Sequence, residues 1–262
     1  MNEVIKKEPI VNKEVTINKP TISGLVHNQE FLKKAQDVLG TGTQQFMSSV
    51  LTLANSSQEF AKCDAIKLYN CCLMAAAIKL PFNQNLGQAY VVAYKGVPKL
   101  QIGYKGFIQL AQRSGQFKTI NTTEVKEGEI KSRNRLTGEM EFDWLDDDNE
   151  REQLNTAGYV AYFELLNGYR QTLYMSVAEI KAHAMKFSQT YKYGTGIWKD
   201  HFDAMAKKTV LKLILSKYAP LSIDMQKAIE IDQSDGDKNY PDAPKEGLEV
   251  ETIDMEEIDG TN

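Results

Sequence analysis

Residues 88–115 read QAYVVAYKGVPKLQIGYKGFIQLAQRSG and change their period once. Ala89–Tyr94 and Leu100–Tyr104 alternate apolar and polar side chains around Lys95-Gly96-Val97-Pro98, the pattern of two strands joined by a turn. From Lys105-Gly106 onward Phe107, Leu110 and Ala111 recur at helical spacing, and Gly115 closes the run. A hairpin running straight into a helix excludes an all-α or an all-β fold, and it is the unit around which the chain is organised.

The flanking sequence extends this pattern. On the N-terminal side, Asn28 caps a helix to Leu39, Thr43–Ala54 is amphipathic, and Asp64 caps an apolar helix over Ala65–Leu80 that Pro81 stops. On the other side, Phe117–Lys126 reads as a strand, and Ile130–Arg135 with Met140–Trp144 as a hairpin through Leu136-Thr137-Gly138. Gly158–Leu166 and Tyr169–Met175 form another through Asn167-Gly168. Ser176-Val177-Ala178-Glu179 is a capping box and opens a helix to Phe187. Ser188–Gly196 is a loop that can order on a ligand, and helices follow over Trp198–Tyr218 and Ile223–Ile231. Helices, a hairpin-helix, meandering strands and helices again define an α+β fold with a largely antiparallel sheet. Residues 1–23 lack a period and read as a flexible arm, 24–232 as one domain, and 233–262 as a disordered acidic tail.

Charge is unevenly placed. From Glu230 to the end there are twelve acids and two lysines, whereas the preceding residues carry 29 bases and 23 acids. No acid occurs between Asp64 and Glu124, a gap holding Lys67, Lys79, Lys95, Lys99, Lys105, Arg113 and Lys118. Tyr90, Tyr94, Tyr104 and Phe107 are interleaved with them. Unopposed cations among aromatic rings suit phosphates and stackable bases, although an ordinary basic sheet surface reads the same way. The tail can recruit a partner or mimic DNA and occupy the basic surface.

Several chemistries find no support. Three cysteines, two of them adjacent at Cys71 and Cys72, and three scattered histidines form neither a disulfide framework nor a zinc pattern. No phosphate-binding GxxxxGK[ST] loop occurs. The carboxylates of Asp143, Asp146, Asp147, Asp148, Glu150 and Glu152 admit a metal-dependent nuclease, but the run lacks the alternate ligands and central glycine of a calcium loop and reads better as a solvated connection. The longest apolar run, Cys71–Ile78, is too short to span a bilayer, and the N-terminus lacks a signal block, so an intracellular location is expected.

Specific blocks go further than composition. Leu80-Pro81-Phe82-Asn83 and Asn85-Leu86-Gly87-Gln88-Ala89-Tyr90 are followed by Val92-Ala93-Tyr94-Lys95-Gly96 and by the run Gln101 to Ala111. Asp203 to Leu211 and Leu221-Ser222-Ile223-Asp224 come last. In this order, over roughly residues 25–231, the chain resembles the RecT family of phage and prophage single-strand annealing proteins. The resemblance implies a protein that binds single-stranded DNA, pairs it with a complement and holds the duplex intermediate. It implies a homo-oligomeric ring or helical filament, a partner 5′→3′ exonuclease and a host single-strand binding protein. It also implies no ATP and no cofactor, with magnesium at most a modulator, no catalysis and no membrane. The family core is a β-β-β-α unit, to which residues 89–113 are expected to contribute two strands and the helix.

The expected groove is lined by Lys95, Lys99, Tyr104, Lys105, Phe107, Arg113 and Lys118 from the hairpin-helix and its surroundings, with Lys186, Lys207, Lys208 and Lys212 from later helices. On a helical wheel Lys208 and Lys212 share a polar face, while Lys207 falls on the apolar side, as either a snorkelling lysine or a phosphate ligand. Arg133, Arg135, Lys192 and Trp198 are candidates for DNA or a neighbouring subunit, Trp198 equally for the core. Gly103 and Gly106 permit either close approach of DNA or tight packing. A DNA-associated assembly scaffold is the remaining alternative.

Overall fold

The computed structural model describes residues 20–94, 96–194 and 196–234. Five helices come first: α1 (Ile22–His27), α2 (Gln29–Leu39), α3 (Thr43–Asn55), α4 (Gln58–Ala61) and α5 (Ala65–Ala77). Asn28 and Asp64 cap α2 and α5 through their side chains, as their positions before apolar-periodic runs imply. Helix α1 begins at Ile22, inside the segment expected to be a flexible arm, because Thr21 caps it and Leu25 and Val26 are buried. Helix α5 stops three residues short of Leu80, where Lys79 takes a left-handed φ of 55°.

Strands β1 (Ala89–Tyr94) and β2 (Val97–Ile102) pair antiparallel and lead into α6 (Tyr104–Arg113). Then come β3 (Phe117–Lys126), β4 (Ile130–Arg133), β5 (Met140–Phe142), α7 (Asp148–Gln153), β6 (Thr156–Leu165) and β7 (Arg170–Ser176). Helices α8 (Val177–Phe187), α9 (Gln189–Lys192), α10 (Ile197–Asp200), α11 (Phe202–Tyr218) and α12 (Ile223–Ser234) complete the described chain. The mixture of helices and antiparallel sheets is the expected α+β architecture.

Three strands form one antiparallel sheet in the order β3-β6-β7, with α8 following directly. The strand-strand-strand-helix unit is therefore β3, β6, β7 and α8, interrupted by the small β4-β5 hairpin. Strands β1 and β2 do not join this sheet. The hairpin-helix thus supplies neither two of those strands nor that helix, contrary to its expected role. Its inward side chains Ala89, Val91, Leu100 and Ile102 are buried, and the hairpin packs against α5.

The core lies between the sheet and the helices. Along β6 the alternate residues Tyr159, Ala161, Phe163 and Leu165 are buried on the face covered by α11 and α8. Helix α11 buries Ala206, Val210, Leu211, Ile214 and Leu215, and packs on both the sheet and α6. Being covered on several sides, it has no clean polar face. On the other side of the sheet Val125, Val160 and Tyr174 meet Ile130, Met140 and Phe142 of the β4-β5 hairpin.

The long helix expected over 198–218 is broken. His201, at φ −140° and ψ 54°, separates α10 from α11. The expected loop 188–196 contains the short α9, and the 143–152 connection contains α7, capped by the Asp147 side chain.

Candidate nucleic-acid interface

The β1-β2 register sets up one wall of a cleft. Val92 lies opposite Lys99 and Tyr90 opposite Gln101, so these side chains share the face turned away from α5. The opposing wall comes from α8 and α11. His183 and Phe187 stand one helical turn apart on α8, and Met205, Lys208, Thr209 and Lys212 form a stripe along α11. Thr190, Tyr193 and Trp198 contribute from the segment between them, and Asp232 of α12 closes one side. The enclosed volume is about 590 Å³.

The cleft brings together lysines more than a hundred residues apart in sequence, Lys99 with Lys208 and Lys212. Lys208 Nζ is 2.5 Å from Asp232 Oδ1, and Lys212 Nζ is 2.8 Å from Asp232 Oδ2. Burial pushes the Asp232 carboxyl up, but the two ammonium groups outweigh it and hold its pKa down at about 2. Because the folded value lies below the ordinary 3.8, an unfolded chain takes up the proton first as pH falls. The stability this carboxylate contributes is therefore complete above the unfolded value and is lost as pH falls through 3.8 toward 2. Urea unfolding at pH 5 and pH 3 should show a smaller loss of stability on acidification for Asp232→Asn than for the unmodified chain. An identical loss would remove Asp232 as an acid-sensitive group.

Burial, then Lys212 and Lys186, push His183 down from 6.5 to about 4, so its imidazole is uncharged at neutral pH. It packs against Phe187, with ring centres 4.7 Å apart and the rings tilted by 50°. Lys186 lies over the same Phe187 ring at 5.0 Å, on the exposed side of α8 beside the cleft. Trp198 is buried between Tyr191 and Phe202, the core role open to it in the sequence, and one side of it lines the cleft.

Other expected contacts are elsewhere. Phe107 is fully buried, because its position on α6 faces the core, and it has no surface to offer a base. Tyr104 is half-buried against the core at the start of α6, outside the cleft lining. Arg113 donates to the Ile78 and Lys79 carbonyls at 2.6 and 2.8 Å, with Asp224 3.7 Å away. It satisfies the end of α5 and does not face the cleft. Lys207 is 2.6 Å from a Glu124 carboxylate oxygen beneath the sheet. Lys118 is 2.8 Å from Glu164 across the β3-β6 pair. Lys105 is exposed, its stem against Gly87, and lies outside the lining. Arg133 lies 5.7 Å over the Tyr174 ring on the far hairpin; Arg135 and Lys192 are exposed away from the lining. Lys95 lies outside the described residues.

Gly103 and Gly106 are explained by packing. A Cβ on Gly103 would come 2.2 Å from the Gly87 carbonyl oxygen, and one on Gly106 2.2 Å from that of Gln88. Among the 143–152 carboxylates, Asp147 is engaged by the backbone N–H groups of Asn149 and Glu150. No group of three or more metal-ligating side chains converges among the described residues. Among those residues, too, no helix is long and apolar enough to cross a membrane.

His183, Gln101 and Asp232 escaped the sequence reading. The spacing of His183 and Phe187 was visible, but not that Lys212, from another helix, stands beside them. Asp232 stands in the sequence as one of the twelve acids from Glu230 onward, whereas in the fold it shares a buried helical stripe with Met225, Ala228 and Ile229.

The RecT family model matches residues 44–245. The chain is 41% identical to the uncharacterized protein YqaK of Bacillus subtilis (strain 168) over 255 residues, 97% of this chain and 86% of that protein. It is 27% identical to protein RecT of Escherichia coli (strain K12) over 187 residues, 66% of this chain and 65% of that one. With the matched region spanning the hairpin, the sheet and both cleft-lining helices, the chain belongs to the RecT family, the single-strand annealing proteins of DNA recombination.

Proposed function

We propose that this cleft holds the backbone of a single DNA strand and that the protein, without ATP, pairs that strand with its complement and retains the duplex intermediate. The supporting observation is the convergence of Lys99 with Lys208 and Lys212 in one channel. Pairing complementary strands requires no covalent chemistry. It requires that phosphate repulsion be reduced while base edges stay available. Lysines supply the first, and gripping the backbone instead of the bases supplies the second. Family membership further supports action as a homo-oligomer, a ring or a filament, beside a nuclease that exposes the strand and a host single-strand binding protein.

Two complementary fluorescent oligonucleotides should pair faster in the presence of the protein, with no nucleotide added. Magnesium should modulate the rate without being required, and both strands should remain intact. Unaccelerated pairing by a protein that still assembles would favour a scaffold, and cut strands a nuclease.

The lysines should separate in a salt titration. Lys99→Ala should lower the dependence of log affinity on log salt by about 0.7, the value for one contact to a single strand. Lys118→Ala and Lys207→Ala should leave the slope unchanged, since both residues lie outside the cleft lining and pair with Glu164 and Glu124 elsewhere. An unaltered slope for Lys99→Ala would remove that wall of the cleft from the binding surface.

A further inference from the structure

Asp232 is the last buried residue of α12 among the described side chains. Met225, Ala228 and Ile229 precede it on the same buried stripe, and all three are apolar. Where a purely packing stripe would continue with another apolar side chain, the helix instead inserts a carboxylate whose side chain is 4% exposed. One oxygen meets each lysine, Oδ1 with Lys208 and Oδ2 with Lys212. Two oxygens of a single anion bridging two ammonium groups is also how a phosphodiester would sit there, through its two non-bridging oxygens. These three side chains line the same cleft as Lys99 and His183, so they adjoin the path assigned to the strand.

We propose that Lys208 and Lys212 form a phosphate subsite and that the Asp232 carboxylate occupies it in the free protein as an intramolecular stand-in for phosphate, giving way when a DNA strand enters. This rests on the strand-binding reading of the cleft. The exchange is electrostatically economical. Leaving two buried ammonium groups without an anion would be costly, but replacing a carboxylate by a phosphate keeps them compensated throughout. The leaving group remains tethered, because Met225, Ala228 and Ile229 anchor the earlier turns of α12. A tethered competitor acts at high effective concentration and rebinds when the strand leaves. The sequence beyond Ser234 is consistent with this device: its 28 residues carry ten acids and two lysines, so the chain that departs beside the cleft has the charge of a competitor for the same lysines.

Hydrogen exchange on the full chain, with and without a poly(dT) oligonucleotide, provides the test. The amides of 228–234 should exchange faster when the oligonucleotide is bound, while those of α8 and α11 slow. Asp232→Asn, checked for folding by circular dichroism, should bind the oligonucleotide about tenfold more tightly at low salt, as expected if roughly one molecule in ten is open beforehand. Asp232→Asn should produce the same gain when made in a chain ending at Ser234, which separates the local carboxylate from the tail. Bound oligonucleotide with unchanged or slower exchange at 228–234 would overturn the displacement and make Asp232 a fixed positioning group. So would a folded Asp232→Asn chain that binds no tighter. If the unmodified chain binds no single-stranded DNA, the strand-binding reading falls and this inference with it.

Discussion

Replacing Arg151 by alanine should cost about 3 kcal/mol of folding stability, at the low end for a buried ion pair that loses one partner. Glu129 is only 2% exposed, and Arg151 grips both of its oxygens, Oε1 at 2.6 Å and Oε2 at 3.2 Å. The same guanidinium donates to the Glu124 carbonyl at 3.0 Å. Burial pushes the Glu129 carboxyl up, but Arg151 and the Lys126 N–H outweigh that and hold it below the ordinary carboxylate range. Without Arg151 the burial remains and the main compensation goes. The mutant deficit should therefore shrink as pH falls and Glu129 becomes able to take up a proton. Urea denaturation at pH 7 and pH 4 measures both effects. A loss below about 1 kcal/mol, the range of surface pairs, would show that Glu129 is hydrated after all.

Gly106→Ala is expected to be comparably severe. The added methyl would stand 2.2 Å from the Gln88 carbonyl oxygen and 3.0 Å from the Ile102 side chain. That oxygen also accepts the Gly103 N–H at 2.9 Å, so it cannot retreat without loosening the join between β1 and the start of α6. Overpacking typically costs about 1–3 kcal/mol, and a rigid backbone obstacle places this case at the upper end. Gly115→Ala is the informative comparison: its φ is 68° but nothing lies within 4 Å of the new methyl, leaving only the left-handed strain of about 1 kcal/mol. Thermal unfolding of the two variants should rank them clearly, Gly106→Ala losing more. Equal losses would mean that α6 shifts freely against β1. Because β1 and β2 carry Val92 and Lys99 into the cleft, Gly106→Ala should also weaken DNA binding without touching a cleft residue.

Local grammar accounts for what was legible in the sequence. The capping box at Ser176 and Glu179 is present with both of its reciprocal bonds, and α8 ends at Phe187 as expected. The Asn167-Gly168 turn joins β6 to β7, with Gly168 at φ 85°. Such features depend on neighbours a few residues away. The functional assignments that failed depend on distant ones. Arg113 looks like a cation on a basic stretch until Ile78 and Lys79, some 35 residues earlier, present unsatisfied carbonyls to it. Lys207 looks available until the sheet delivers Glu124. Phe107 has a helical period that identifies it as interior, and treating it as a DNA contact set that period aside. Lys208 and Lys212 were correctly grouped because i, i+4 spacing is local, but the carboxylate between them arrives from 20 residues beyond Lys212.

The separation of the two larger strand groups bears on how wide the channel can become. The hairpin carrying Lys99 is backed by α5, whereas α8 and α11 are backed by the three-stranded sheet, and among the described residues no strand ladder joins one group to the other. The channel walls therefore belong to different backing layers that meet through side chains. A change of calibre calls for shear and local repacking, not for the rupture of main-chain ladders. A lone strand and a paired duplex differ in girth. If the cleft takes a single strand as proposed, jaws mounted on separate supports would let the same passage widen for the duplex.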